Sequence, residues 1–93
     1  MSNYSRGANF ERRVAKWYIE QGMDVTRAAG SHGPSDVTAF FLGKIIFNSL
    51  RLTNYWSPIE REEFKDLVKR QAGSVGRYVW REKGTNKIQF KEV

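Results

Sequence analysis

Two carboxylates stand out by what surrounds them. Asp36 follows Gly33-Pro34-Ser35 directly, which puts an acid at the mouth of an extended segment, beside backbone that can approach a phosphate closely. The competing reading of Asp36 is a turn aspartate that satisfies local amides. Glu11 lies where apolar residues recur at helical spacing, and beside Arg12 its plain reading is a solvated helical acid. His32, the single histidine, sits in the loop Gly30-Ser31-His32-Gly33, where a solvated side chain is the ordinary outcome. The absence of cysteine excludes a disulfide framework, a Cys-ligated zinc site, an iron–sulfur cluster and a thiol nucleophile.

The elements that must position these acids can be read from periodicity. Phe10, Val14, Trp17 and Tyr18 form one face of a helix over Ala8 to Gln21 that Gly22 closes, after a polar start through Ser5, Arg6 and Gly7. A strand is expected from Met23 to Ala29, a loop from Gly30 to Ser35, and strands at Val37 to Phe41 and Ile45 to Leu52 around a tight Leu42-Gly43-Lys44 turn. Ser57-Pro58-Ile59-Glu60 combines an N-cap, a first-turn proline and the Glu of a capping box, so a second helix runs from Pro58 to Ala72. Gly76 to Glu82 and Lys87 to Val93 make a final hairpin. The order αβββαββ predicts an α/β fold with a mixed five-stranded sheet flanked by helices, over residues 1-93 as a single domain.

The 93 residues carry 16 Lys or Arg against 10 Asp or Glu, a formal charge of +6, which favours a polyanionic partner. The longest apolar run, Ala39 to Leu42, is far short of the roughly 20 residues of a membrane span. With no signal-peptide pattern, the expectation is a soluble, intracellular protein with no membrane role. Cations lie on every element, including Arg12 and Arg13 on the first helix, Arg27 within the first strand and Lys69 on the second helix. That scatter suits a protein spanning phosphates, and it also suits an ordinary solvated domain.

From Arg6 to Arg51 the chain resembles the archaeal-type Holliday junction resolvases, a branch of the PD-(D/E)xK nuclease superfamily that also occurs in phages and archaeal viruses. The resemblance is carried by Arg6-Gly7-Ala8-Asn9-Phe10-Glu11-Arg12, Val25-Thr26-Arg27-Ala28-Ala29-Gly30-Ser31 and Gly33-Pro34-Ser35-Asp36-Val37. It implies a restriction-endonuclease-like fold, with Glu11 as the family's helical Glu and Asp36 as its metal-binding Asp. Arg27 then falls on a basic residue after the first strand, and Ser31 on a loop serine near the scissile phosphate. The family's next motif is Glu-x-Lys, and an ungapped count from Asp36 puts Ser49 on its Glu and Arg51 on its Lys.

The resemblance therefore implies a catalytic set of Glu11, Asp36, Ser31, Ser49 and Arg51, with Glu11, Asp36 and the Leu50 carbonyl as ligands of Mg²⁺ or Mn²⁺. Arg6, Arg12, Arg13, Arg27, His32 and Lys69 would contact DNA, a four-way junction or a duplex backbone. A homodimer would pair two sites for symmetric incisions. Ser49 cannot neutralise a dication and Arg51 stays a fixed cation, so metal affinity should fall and binding should outlast cleavage. Asn48 could replace the lost ligand only through a bulge or a one-residue slip, and His32 could act beside Ser31 on an attacking water. The resulting expectation is a DNA-structure-binding protein, possible as a Mg-dependent endonuclease; the alternative is an inactive homologue serving as a DNA-binding or protein-interacting module.

Overall fold

The structure is a computed structural model that describes residues 3–27 and 35–93. Helix α1 spans Asn3–Glu20, so it begins before the expected Ala8 and takes Ser5, Arg6 and Gly7 into its first turns. An isolated glycine costs a helix about 1 kcal/mol and does not stop one whose following turns are docked. Here Phe10, Val14 and Tyr18 are buried and do that docking. Gly22, at φ +85°, closes α1: its N–H donates to the Ile19 carbonyl and that of Met23 to the Tyr18 carbonyl, a Schellman motif.

Strand β1 (Asp24–Arg27) pairs antiparallel with β2 (Val37–Phe41), and β2 pairs antiparallel with β3 (Lys44–Arg51). Leu42 and Gly43 form the two-residue turn with φ of 48° and 79°, the type I′ geometry that matches strand twist. Lys44, expected in the turn, instead pairs with Phe41 and starts β3. Helix α2 (Pro58–Arg70) starts on the expected capping box, with Ser57 and Glu60 each satisfying the other's backbone N–H. It carries the chain across to β4 (Val75–Arg81), parallel to β3, and β5 (Ile88–Glu92) returns antiparallel. The mixed five-stranded sheet and the element order are those expected from the sequence, and the strands lie side by side in the order β1-β2-β3-β4-β5.

Strand alternation sorts β3 between two layers. Ile46, Asn48 and Leu50 face a core made with Phe10, Val14, Tyr18, Val37, Ala39 and Val79 beneath α1. Ser49 faces the other side, where Trp56, Phe64, Tyr78 and Trp80 pack ring against ring under α2. Gly76 is required there, because a Cβ on it would lie 2.5 Å from Val68 Cγ2. Trp56 and Trp80 thus fill the layer beneath α2, whereas Tyr55 is exposed. Among the described residues no helix is long and apolar enough to cross a membrane.

Candidate functional site

Glu11 and Asp36 meet in one pocket. It is lined by Gly7, Phe10 and Glu11 from the first turns of α1, by Asp36 at the entry to β2, and by Leu50, Arg51 and Leu52 at the end of β3. The early start of α1 matters here, since it brings Gly7 to the pocket wall. Gly7 has no neighbouring atom within 4 Å of where a Cβ would stand, so the wall is open at that point.

Asp36 is held by β3 rather than by its own turn. Its N–H donates to the Asn48 carbonyl at 2.8 Å, and its Oδ2 accepts the Leu50 N–H at 2.8 Å. Ser35 Oγ accepts the Asn48 N–H and pairs with the Thr38 hydroxyl, which fixes the residue before the acid as well. Burial raises the Asp36 carboxyl above its ordinary pKa, against the opposing effects of the Leu50 amide and the Arg51 charge. Glu11 is raised as well, first by desolvation and then by the Asp36 charge, with Arg27 and Arg12 pulling the other way. The two acids therefore share one electrostatic environment, collared by cations.

Arg51 enters that environment from the side. One guanidinium nitrogen, Nη1, donates to the Leu50 carbonyl at 2.7 Å and lies 3.8 Å from Asp36 Oδ2. The other, Nη2, is ion-paired with Glu60 Oε2, while Glu60 Oε1 accepts the Ser57 N–H of the α2 capping box. Glu60 therefore joins the cap of α2 to the pocket, a function hidden in sequence because the capping box already accounted for that residue.

Ser49, which the ungapped count from Asp36 sets on the Glu of Glu-x-Lys, is 4% exposed, and its Oγ accepts the Trp56 indole N–H at 2.9 Å. Asn48 does not take over as a ligand. The β2–β3 register runs without a bulge, and Asn48 is fully buried, accepting from Tyr18 Oη at 2.6 Å and donating to the Val37 and Ile46 carbonyls. Arg77 donates to Tyr18 Oη at 3.1 Å and completes this network.

Of the expected DNA contacts, Arg6, Arg12 and Arg27 are exposed on the α1 and β1 side, and Arg12 also donates to Asn9 Oδ1. Arg13 is exposed but donates to the Asn86 carbonyl at 2.7 Å, bracing α1 against the β4–β5 turn. Lys69 lies in the last turn of α2, about 14 Å along the helix from Glu60 at 1.5 Å per residue. Ser31 and His32 fall outside the described residues.

Do these donors suit a divalent ion? Mg²⁺ asks for oxygens in near-octahedral array, commonly one or two carboxylates with water. Here the Leu50 carbonyl is engaged by a guanidinium, Asp36 Oδ2 by an amide, and Ser49, which carries no charge, is turned toward Trp56. Among the described residues no three acids or histidines gather in ligating range. As arranged, the set does not fit a hard dication.

A five-stranded mixed sheet between two helices, with two acids at the α1 edge, defines a nuclease-like α/β fold. A family profile described as archaeal Holliday junction resolvase (hjc) matches residues 2–92. The chain therefore belongs to the archaeal Holliday junction resolvase family, whose members are generally metal-dependent endonucleases of DNA recombination. Among solved structures it is similar to Hjc of Archaeoglobus fulgidus, a Holliday junction resolvase from an archaeal hyperthermophile. That likeness has 21% identity and a TM-score of 0.73, and covers 90% of this chain and 73% of that one. No curated protein sequence matches.

Proposed function

We propose that this chain binds four-way-junction DNA through its phosphates, as a homodimer, and that its cleavage is weak or lost. The carrying observation is the pocket itself: Glu11 and Asp36 lie together, with Arg12, Arg27 and Arg51 acting on them. An acidic centre within a basic collar can hold a phosphodiester by its rim. Glu11, Asp36, Ser31 and Arg51 form the site in this reading. Arg6, Arg12, Arg27, His32 and Lys69 add backbone contacts, and Arg13 contributes what its bond to Asn86 leaves free. Mg²⁺ or Mn²⁺ is recruited poorly, because Ser49 supplies no charge and Arg51 opposes a dication.

The 93 residues act as one domain, inside a cell or, for a viral protein, in the cytoplasm of its host. Family membership supports junction DNA as the partner. The test is incubation with a labelled four-way junction and with linear duplex, with and without Mg²⁺ or Mn²⁺. Selective retention of the junction with little or no product is the expected result. Rapid, metal-dependent, paired nicking would show an active resolvase instead, and absence of binding at low salt would remove the DNA reading.

A further inference from the structure

In a pocket of this kind two acids and a main-chain carbonyl invite a cation, and a cation of the chain itself already stands there. Arg51 Nη1 is 2.7 Å from the Leu50 carbonyl and 3.8 Å from Asp36 Oδ2, and Nη2 pairs with Glu60. We infer that the Arg51 guanidinium, anchored by Glu60, is the resident cation of the Glu11–Asp36 pocket, so that the pocket takes a phosphodiester directly and excludes divalent ions until Arg51 leaves. This rests on the DNA-binding reading for its ligand but not for its cation.

Three observations argue for it. A guanidinium is permanently charged, and its planar fork has five N–H donors. Its one hydrogen bond from Nη1, to the Leu50 carbonyl, and its pairing of Nη2 with Glu60 leave donors for phosphate oxygens, the anion whose geometry the fork matches. A second positive charge entering at contact distance would meet direct repulsion, and the Leu50 carbonyl would have to give up a charge-assisted bond. The anchor is also rigid, because the capping box sets the Glu60 carboxylate at the N-terminus of a 13-residue helix. Glu60 is therefore a positioning residue that holds Arg51 in place.

The experiment is Mn²⁺ binding followed by electron paramagnetic resonance, on the whole chain without DNA, for the parent, Arg51→Ala and Glu60→Gln. Gln keeps the capping box while removing the charge that anchors Arg51. Arg51→Ala is expected to bind Mn²⁺ about tenfold more tightly than the parent, the scale of one charge-assisted hydrogen bond. Glu60→Gln should fall between them. A parent that binds Mn²⁺ as tightly as Arg51→Ala overturns the inference. If Arg51→Ala does not fold by circular dichroism, Glu60→Gln decides alone, and an affinity equal to the parent's overturns it. Because no DNA is present, failure here leaves the junction reading untouched, and failure of junction binding leaves this result standing.

Discussion

At the scale of single residues, neighbours on β3 serve different layers. Ser49 is a buried acceptor for Trp56, and Arg51 reaches the Leu50 carbonyl and Glu60. Asp36 keeps its place and is buried at some cost, and the sign of that cost sets a pH dependence. Its carboxyl, like that of Glu11, is raised in the folded state, so the fold binds more protons than the unfolded chain. The stabilisation is full below the ordinary carboxylate range and is lost as pH rises through the folded value. Asp36→Asn can keep an acceptor for the Leu50 N–H and removes the charge. Its urea midpoint should exceed the parent's at pH 7, with the gap closing toward pH 3; a midpoint lower than the parent's at pH 7 would show that the Asp36 charge stabilises the fold. Tyr18→Phe addresses the network on the other side of β3. It strips Asn48 Oδ1 of a 2.6 Å donor in a fully buried place, so chemical denaturation should show a loss of about 1–3 kcal/mol.

At the scale of elements, α2 is the part most exposed to a packing error. Gly76→Ala would put a methyl 2.5 Å from Val68 Cγ2 and 3.3 Å from Phe64 Cε2, forcing α2 off the sheet. A loss of about 1–3 kcal/mol is expected from thermal or urea unfolding, as for overpacked cores generally. The elements themselves were legible because their signals are local: the Ser57-Pro58-Ile59-Glu60 start, the closing Gly22, and the period-2 strands around Leu42-Gly43. The start of α1 was not, since Gly7 reads as a breaker until tertiary docking of Phe10 and Val14 outweighs its propensity. The pairing of Glu11 with Asp36 came from resemblance, and the structure brings the two to one pocket. What no spacing revealed were the contacts that span elements: Arg51 with Glu60, Ser49 with Trp56, and Arg13 with Asn86. Each of those residues also has a plain local reading, as a strand end, a strand polar residue or a helical cation, and the long-range partner depends on how α1 and α2 settle on the sheet.

At the scale of the whole molecule, a formal charge of +6 is divided between cations that serve the fold and cations left for a partner. Arg13 and Arg77 bond internally, while Arg27 is exposed beside the pocket and acts on Glu11. Removing one phosphate contact lowers the slope of log affinity against log salt by about 0.9. Arg27→Ala should show that decrease in a junction titration across salt concentrations; an unchanged slope would place Arg27 outside the DNA surface. On the reading proposed above, the chain holds a junction through its own cations, with Arg51 at the Glu11–Asp36 pocket. The most direct measurement is the affinity for a four-way junction at fixed ionic strength, once in EDTA and once in Mg²⁺, with linear duplex as competitor. Tight, junction-selective binding of equal strength in both conditions is expected, whereas binding that disappears in EDTA and returns with Mg²⁺ would contradict the account.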